Sequence, residues 1–406
     1  SAPRAKPQLE QRPMLGGKGV AILRSGKGPS GRAALLRYGP TLNHGHLDSL
    51  GLLFYGLGRE LTYDLGYQLG SAHVQTSWAR LTASHNLVVV NAKNQMVTPS
   101  PGGDARFYVD AAPVRAFEAS DPSCYRSEKV SEYGRAIALV DTGGSSYLVD
   151  IFRVTGGEKH DLMWHFSGEQ SEIAGADLGP TQDKGSLAGP DIDWGRKLGP
   201  AGDLIGCADK PPYWNAPPGN GYGFVFNCRR STRLSPECRV NWKVGTTGRQ
   251  DVVLRLLPEA GSELVTARAP GILPEWPQAD YAIVRRQGSG LKSVFVSLVE
   301  PVDGRSAIRS VRRMDSGNAV CVEVETAAGT DYILSASVPG IVALVNFAKR
   351  LASIFEFNAG SGQTRTEIWQ AALEAIKVLT GYGEPLAGRL LANCAAAVRS
   401  FRLDGA

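Results

Sequence analysis

The chain has no run of about 18 apolar residues, so no segment reads as a membrane-crossing helix. Its six cysteines, Cys124, Cys207, Cys228, Cys238, Cys321 and Cys394, have no CxxC spacing, which argues against a cysteine zinc site. Cys207, Cys228 and Cys238 share one loop-rich region, where a disulfide and ordinary buried thiols are both open readings. There is no basic helix and no patch of basic residues interleaved with aromatics. With a formal net charge of only +5 and dispersed Lys and Arg, a nucleic-acid partner is excluded. That mild positive charge suits an acidic polysaccharide and a plain solvated surface equally. Helical crossovers between strand-like runs are missing, as are internal repeats and low-complexity tracts. The first residue is Ser1 and no signal-peptide pattern precedes it, which reads as a processed chain or a fragment.

What is present is β-forming. Of 406 residues, 43% are apolar and 20% charged, and 48 glycines with 24 prolines supply many turns. Short runs such as "GVAILRS", "AALLRYG", "SLGLLFYG", "HNLVVVN", "AIALVDT", "SYLVDIFRV" and "HDLMWHFSG" are rich in β-branched and aromatic residues and bounded by Gly, Pro, Asn or Asp. "GGSS" at 143–146 reads as a hairpin turn between two of them. Residues 168–222 are turn-rich and read as a long surface excursion, after which strand signals resume with "GYGFVFNC", "CRVNWKV", "DVVLRLLP" and "LKSVFVSLVEP". The expected fold is mainly β: a large antiparallel β-sandwich over residues 18–340, preceded by a linker or tail at 1–17. A partly helical extension at 341–406 follows, in which Ile368, Ala372 and Ile376 share a helical face behind a capping box at Thr364 and Glu367.

One segment concentrates titratable side chains. "NHGHLD" places His44, His46 and Asp48 at alternate positions, Asp64 ends a strand-like run 18 residues after His46, and His85 opens "HNLVVV". If "NHGHLD" is extended, those three side chains share one face, and burying them demands pairing or a metal. One imidazole from each of two strands with a carboxylate from a third would give three ligands and leave a fourth position for water or substrate. A lone histidine at a strand end is more often a satisfied core or surface residue, so spacing alone leaves a metal site and a structural strand both open.

Taken together, "YGP…NHGHLDSLGLLFYGLGRELTYDLGY…ARLTASHNLVVVNAKNQ" and "YLVDIFRVTGGEKHDLMWHFSG" resemble the heparinase II/III-like family of polysaccharide lyases, over roughly residues 18–168. The resemblance implies that His46, Asp64 and His85 bind a zinc ion of mainly structural role. It implies that His44 faces the substrate cleft and that Asn43, Arg80 and Gln95 contact sugar. Asp48 would orient a ligand histidine through its other ring nitrogen. His160 and His165 read as core or cleft-edge residues, and His73 as a loop residue.

Such lyases cleave uronate-containing polymers, alginate or a glycosaminoglycan, by β-elimination. The C5 proton of a uronic acid is hard to remove, because the neighbouring carboxylate resists further negative charge. The site must neutralise that carboxylate, supply a base and protonate the departing oxygen. His44 suits carboxylate stabilisation or proton transfer, and Tyr67 suits acid or base catalysis. In the family an (α/α) toroid precedes the β-sandwich and completes the cleft. Only about 17 linker-like residues precede the first strand here, so a separate toroid domain or subunit is the implied partner. A periplasmic or secreted location is implied by the same resemblance. The alternative is a non-catalytic, zinc-stabilised module that holds acidic glycan without cleaving it.

Overall fold

A computed structural model describes residues 14–15, 19–41, 45–66, 74–96, 102–197, 217–245, 248–272, 278–316, 319–335 and 341–344. Every strand pairing within it is antiparallel. The mainly β, antiparallel sandwich expected from the sequence is what forms, with one layer more than two facing sheets require.

The centre is an eight-stranded sheet running from Glu169–Ala176 at one edge, through Leu234–Lys243, Gln250–Leu256, Lys292–Asp303, Ser146–Thr155, Glu132–Asp141 and Val114–Ser120, to Asp104–Ala111 at the other. Its central strand, "SYLVDIFRVT", is buried along almost its whole length because both of its faces are covered. Leu148, Phe152 and Val154 join a core on one side, and Tyr147, Val149 and Ile151 join another on the opposite side. The second core is closed by a four-stranded sheet, through Ile308, Val320, Val322, Val324 and Ile333.

Two five-stranded sheets cover the first core. One is built from the N-terminal strands, including Val20–Ser25, Arg32–Arg37 and Leu52–Gly56. Alternate residues Ala21, Leu23, Ala34, Leu36, Leu52 and Phe54 point inward, the period-two pattern of a strand with one buried face. The other holds Phe226–Ser231, Glu263–Pro270, Gln278–Gln287, Lys159–His165 and Val88–Val90. Trp164, Phe166 and Trp242 stack where it meets the central sheet, with ring centroids 5.6 and 4.8 Å apart.

The "VTGGEKHD" stretch is explained by this layering. The strand ending at Thr155 belongs to the central sheet and the one starting at Lys159 to a flanking sheet, so the chain must change layers within three residues. Gly156 and Gly157 do so at φ +107° and +78°, values L side chains rarely adopt. A Cβ on Gly156 would lie 2.5 Å from the Lys129 carbonyl oxygen.

Three details depart from the sequence reading. Glu169–Ala176, taken as the start of a surface excursion, is an edge strand of the central sheet. Its polar side chains are largely solvated, so it lacks apolar alternation. Met14–Leu15 pairs with Val20–Ala21 inside the segment read as a linker. Ile341–Leu344 continues the four-stranded sheet at the start of the C-terminal extension. The "GGSS" hairpin forms as expected, with Asp141 opposite Ser146. Cys124, Cys228, Cys238 and Cys321 are buried free thiols. Cys207, Cys394 and the expected C-terminal helices lie outside the described residues.

Candidate metal centre

His46, Asp64 and His85 converge at the seam between the two five-stranded sheets. None of the three sits in a strand, contrary to the strand-borne ligands considered above. His46 is in the loop after Arg32–Arg37, Asp64 follows the short strand Arg59–Glu60, and His85 caps a 3-10 turn at Thr82–Ser84. Between His46 and the next strand, Leu50 takes φ +61° and the Gly51 N–H closes a turn onto the Asp48 carbonyl. These positions carry ligands well: loops point side chains inward, while the sheets behind them stay rigid.

The three donor atoms form a compact triangle. His46 Nδ1 lies 3.0 Å from Asp64 Oδ2 and 3.1 Å from His85 Nε2, and His85 Nε2 lies 3.2 Å from the same Asp64 oxygen. A tetrahedral zinc ion with bonds of about 2.0–2.1 Å separates its ligand atoms by roughly 3.3 Å. The donor set and spacing therefore fit such an ion.

Proton bookkeeping points the same way. His85 Nδ1 donates to the Leu81 carbonyl at 2.9 Å, which in the neutral imidazole leaves the Nε2 lone pair facing Asp64 and His46. A lone pair and a carboxylate oxygen 3.2 Å apart repel unless a cation lies between them. The pocket thus calls for positive charge, as protons on the imidazoles or as a metal ion. Burial opposes ionisation of Asp64, yet the hydrogen bonds and charges of His46 and His85 outweigh it, holding the carboxyl well below the usual carboxylate range. Burial also works against a charge on His85, and the Asp64 carboxylate outweighs it in turn, raising the imidazole pKa.

The surroundings fix the loops in place. Asp48 pairs with Arg37 at 2.9 Å rather than with a ligand histidine, so the Leu81 carbonyl and the Ser84 hydroxyl at 3.1 Å, not Asp48, orient His85. Gln95 is buried, and its amide brackets Ser49: the Ser49 N–H donates to Oε1 at 2.7 Å and Nε2 donates to the Ser49 carbonyl at 2.9 Å. The Ser49 hydroxyl donates to Asp121 at 2.6 Å. Arg80 is half-buried, and its carbonyl accepts the Leu47 N–H. Tyr281 donates to the Ser84 carbonyl and Trp78 to that of Pro270, anchoring the His85 segment to its sheet. His44, Asn43, Tyr67 and His73 lie outside the described residues. His160 and His165 are fully buried, as core residues.

The sequence reading missed Arg135 and Asp150, wholly buried and paired at 2.6 Å. The signal was available: "YGRAIALV" and "YLVDIFRV" each carry a charge within an apolar run, of opposite sign, on strands that pair directly.

An antiparallel β-sandwich carrying a cluster of two buried histidines and a half-buried aspartate defines a class of protein with a metal-type site set between sheets. Comparison points to a particular family: residues 14–188 match the family model described as heparinase II/III-like, C-terminal, and the β-sandwich is consistent with such a domain. The chain is 28% identical over 171 residues to an alginate lyase of Stenotrophomonas maltophilia, a match spanning 37% of this chain and 22% of that protein. Two structures of a heparinase III, the BT4657 gene product, share the fold at 12% identity with TM-scores of 0.51 and 0.50. Each match covers 79% of this chain and 41% of the other, so the chain spans less than half the length of these relatives.

Proposed function

We propose that this chain is the β-sandwich part of a polysaccharide lyase that cleaves a uronate-containing polymer, alginate or glycosaminoglycan-like, by β-elimination. The observation that carries the reading is the triangle of His46, Asp64 and His85 within a heparinase II/III-like domain. In this reading the three residues hold zinc, whose chemistry is to fix the loops rather than to polarise substrate. In sequence, His44 stands two residues from one of these three and Tyr67 three residues from another. His44 neutralises the uronate carboxylate or transfers a proton, Tyr67 serves as acid or base, and Asn43, Arg80 and Gln95 are assigned to substrate binding. Gln95 would act through the Ser49 loop that it brackets, since its amide is spent there. A toroid domain or subunit completes the cleft, and a periplasmic or secreted setting suits the polymer.

Two histidine variants test this. His46→Ala removes a metal ligand, so zinc content and melting temperature should fall together, because metal binding is coupled to the folded state. At a hundredfold excess of zinc over Kd the metal contributes about 2.7 kcal/mol. His44→Ala should keep zinc and melting temperature but weaken uronate binding, or abolish the ultraviolet absorbance of unsaturated product on a panel of uronate polymers. Equal loss of zinc in the two variants would refute the division of roles. Full zinc and full uronate affinity in both would refute the lyase reading.

A further inference from the structure

The His46 and His85 segments are tied together by a side chain that belongs to neither. Arg135 lies on the strand Glu132–Asp141 of the central sheet, fully buried, with its guanidinium carbon 5.2 Å from the Phe152 ring and 5.5 Å from the Trp164 ring. Asp150, on the adjacent strand, takes two of its N–H groups: Nε donates to Oδ1 at 2.6 Å and one terminal nitrogen donates to Oδ2 at 3.2 Å. The other terminal nitrogen donates to two backbone carbonyls, that of Leu50 at 2.7 Å and that of Asn86 at 2.5 Å. Leu50 lies four residues beyond His46, and Asn86 follows His85 directly.

We propose that the Arg135–Asp150 pair is a positioning element for the metal centre, setting the separation of the His46 and His85 loops through the Leu50 and Asn86 carbonyls. The proposal rests on the metal reading above and adds the residues that make the site affine. A buried ion pair is poor value as a stabiliser, because desolvation consumes most of the attraction. This pair spends four N–H groups on two strands and two loops, an arrangement suited to fixing geometry. Backbone bonds from Leu47 to Arg80 and from Leu52 to Asn86 link the same segments, and the planar guanidinium fork adds a rigid spacer between them. The relation resembles that of outer groups around metal ligands in general, whose loss typically weakens binding about 10–100-fold.

The test compares zinc affinity, by competition with a chelator, with the melting temperature of the metal-free protein. Arg135→Met alone would strand the Asp150 charge, so the informative variant is Arg135→Met with Asp150→Leu. Replacing a buried pair by apolar residues of similar volume is often neutral or stabilising. The double variant should therefore melt, metal-free, close to the parent, while its zinc Kd rises about 10–100-fold. An unchanged zinc Kd in the folded double variant would overturn the proposal. Should circular dichroism show that variant unfolded, Arg135→Lys decides. It keeps the charge but loses the fork, and its zinc Kd should rise several-fold; an unchanged value overturns the proposal. If the unsubstituted protein takes up no zinc, the metal reading itself falls, an outcome separable from a parent that binds tightly alongside variants that bind equally well.

Discussion

His165 should make the metal-free fold acid-sensitive in a pH window set by its burial. It ends the strand Lys159–His165, its ring packs against Tyr63 and Tyr281 at centroid distances of 4.8 and 4.9 Å, and Nε2 donates to the Tyr63 carbonyl at 3.1 Å. Burial pushes its pKa down to about 4, the Tyr63 bond offsetting only part of the effect. In the unfolded chain a histidine titrates near 6.5. Between those two values the unfolded state holds more protons than the folded state, so stability falls as pH falls. The contribution is fully present above about pH 6.5 and is lost progressively toward about pH 4. Folded and unfolded values of about 4 and 6.5 give a loss of about 1.4 kcal/mol at pH 5.5 and about 2.5 kcal/mol at pH 4.5. The assay is urea denaturation at pH 7.5, 5.5 and 4.5, with a chelator present because protons also compete for His46 and His85. His165→Gln is the comparison, since it keeps a donor for the Tyr63 carbonyl and removes the titration; carboxylates common to both proteins cancel. The parent should lose about 2.5 kcal/mol more than the variant between pH 7.5 and 4.5. Parallel pH profiles would refute the reasoning.

Three further substitutions probe the frame around the site. Tyr222→Phe removes a donor 2.5 Å from Asp161 Oδ2, while Arg285 still pairs with that carboxylate at 2.6 and 2.9 Å. A lost hydrogen bond to a charged group should cost about 1.5–3 kcal/mol by denaturant titration, and no measurable loss would show the bond to be idle. Gly156→Ala should cost about 2–4 kcal/mol through strain and a clash with the Lys129 carbonyl. Gly58→Ala, at φ +74° with nothing within 4 Å, should cost only about 1–2 kcal/mol. Equal costs at the two glycines would show that close packing at the layer crossing does not matter.

The sequence made the sheets legible because each strand carries its own signal: β-branched residues, period-two burial and a turn at each end. The grouping of His46, Asp64 and His85 was legible through the family resemblance, and the structure does bring the three side chains together. The loop placement of His46 and His85 was not legible, since it depends on Leu50 at positive φ and on hydrogen bonds from residues far along the chain. The third layer was hidden for a related reason. An apolar run such as "SYLVDIFRVT" announces burial on both faces but not which strands supply the second cover. Glu169–Ala176 escaped because an edge strand with solvated side chains has no apolar rhythm to read.

The order of groups along the chain bears on how the centre comes into being. A ribosome delivers His46, Asp64 and His85 well before the groups that hold them: Arg135, Asp150, the Pro270 carbonyl that anchors Trp78, and Tyr281. On the metal reading proposed above, the three side chains would emerge as a floppy set with weak affinity, and tight capture of an ion would wait until the strand Gln278–Gln287 has been made and docked. Loading would then be a late event, and a nascent chain halted before Tyr281 should release its ion to a mild chelator.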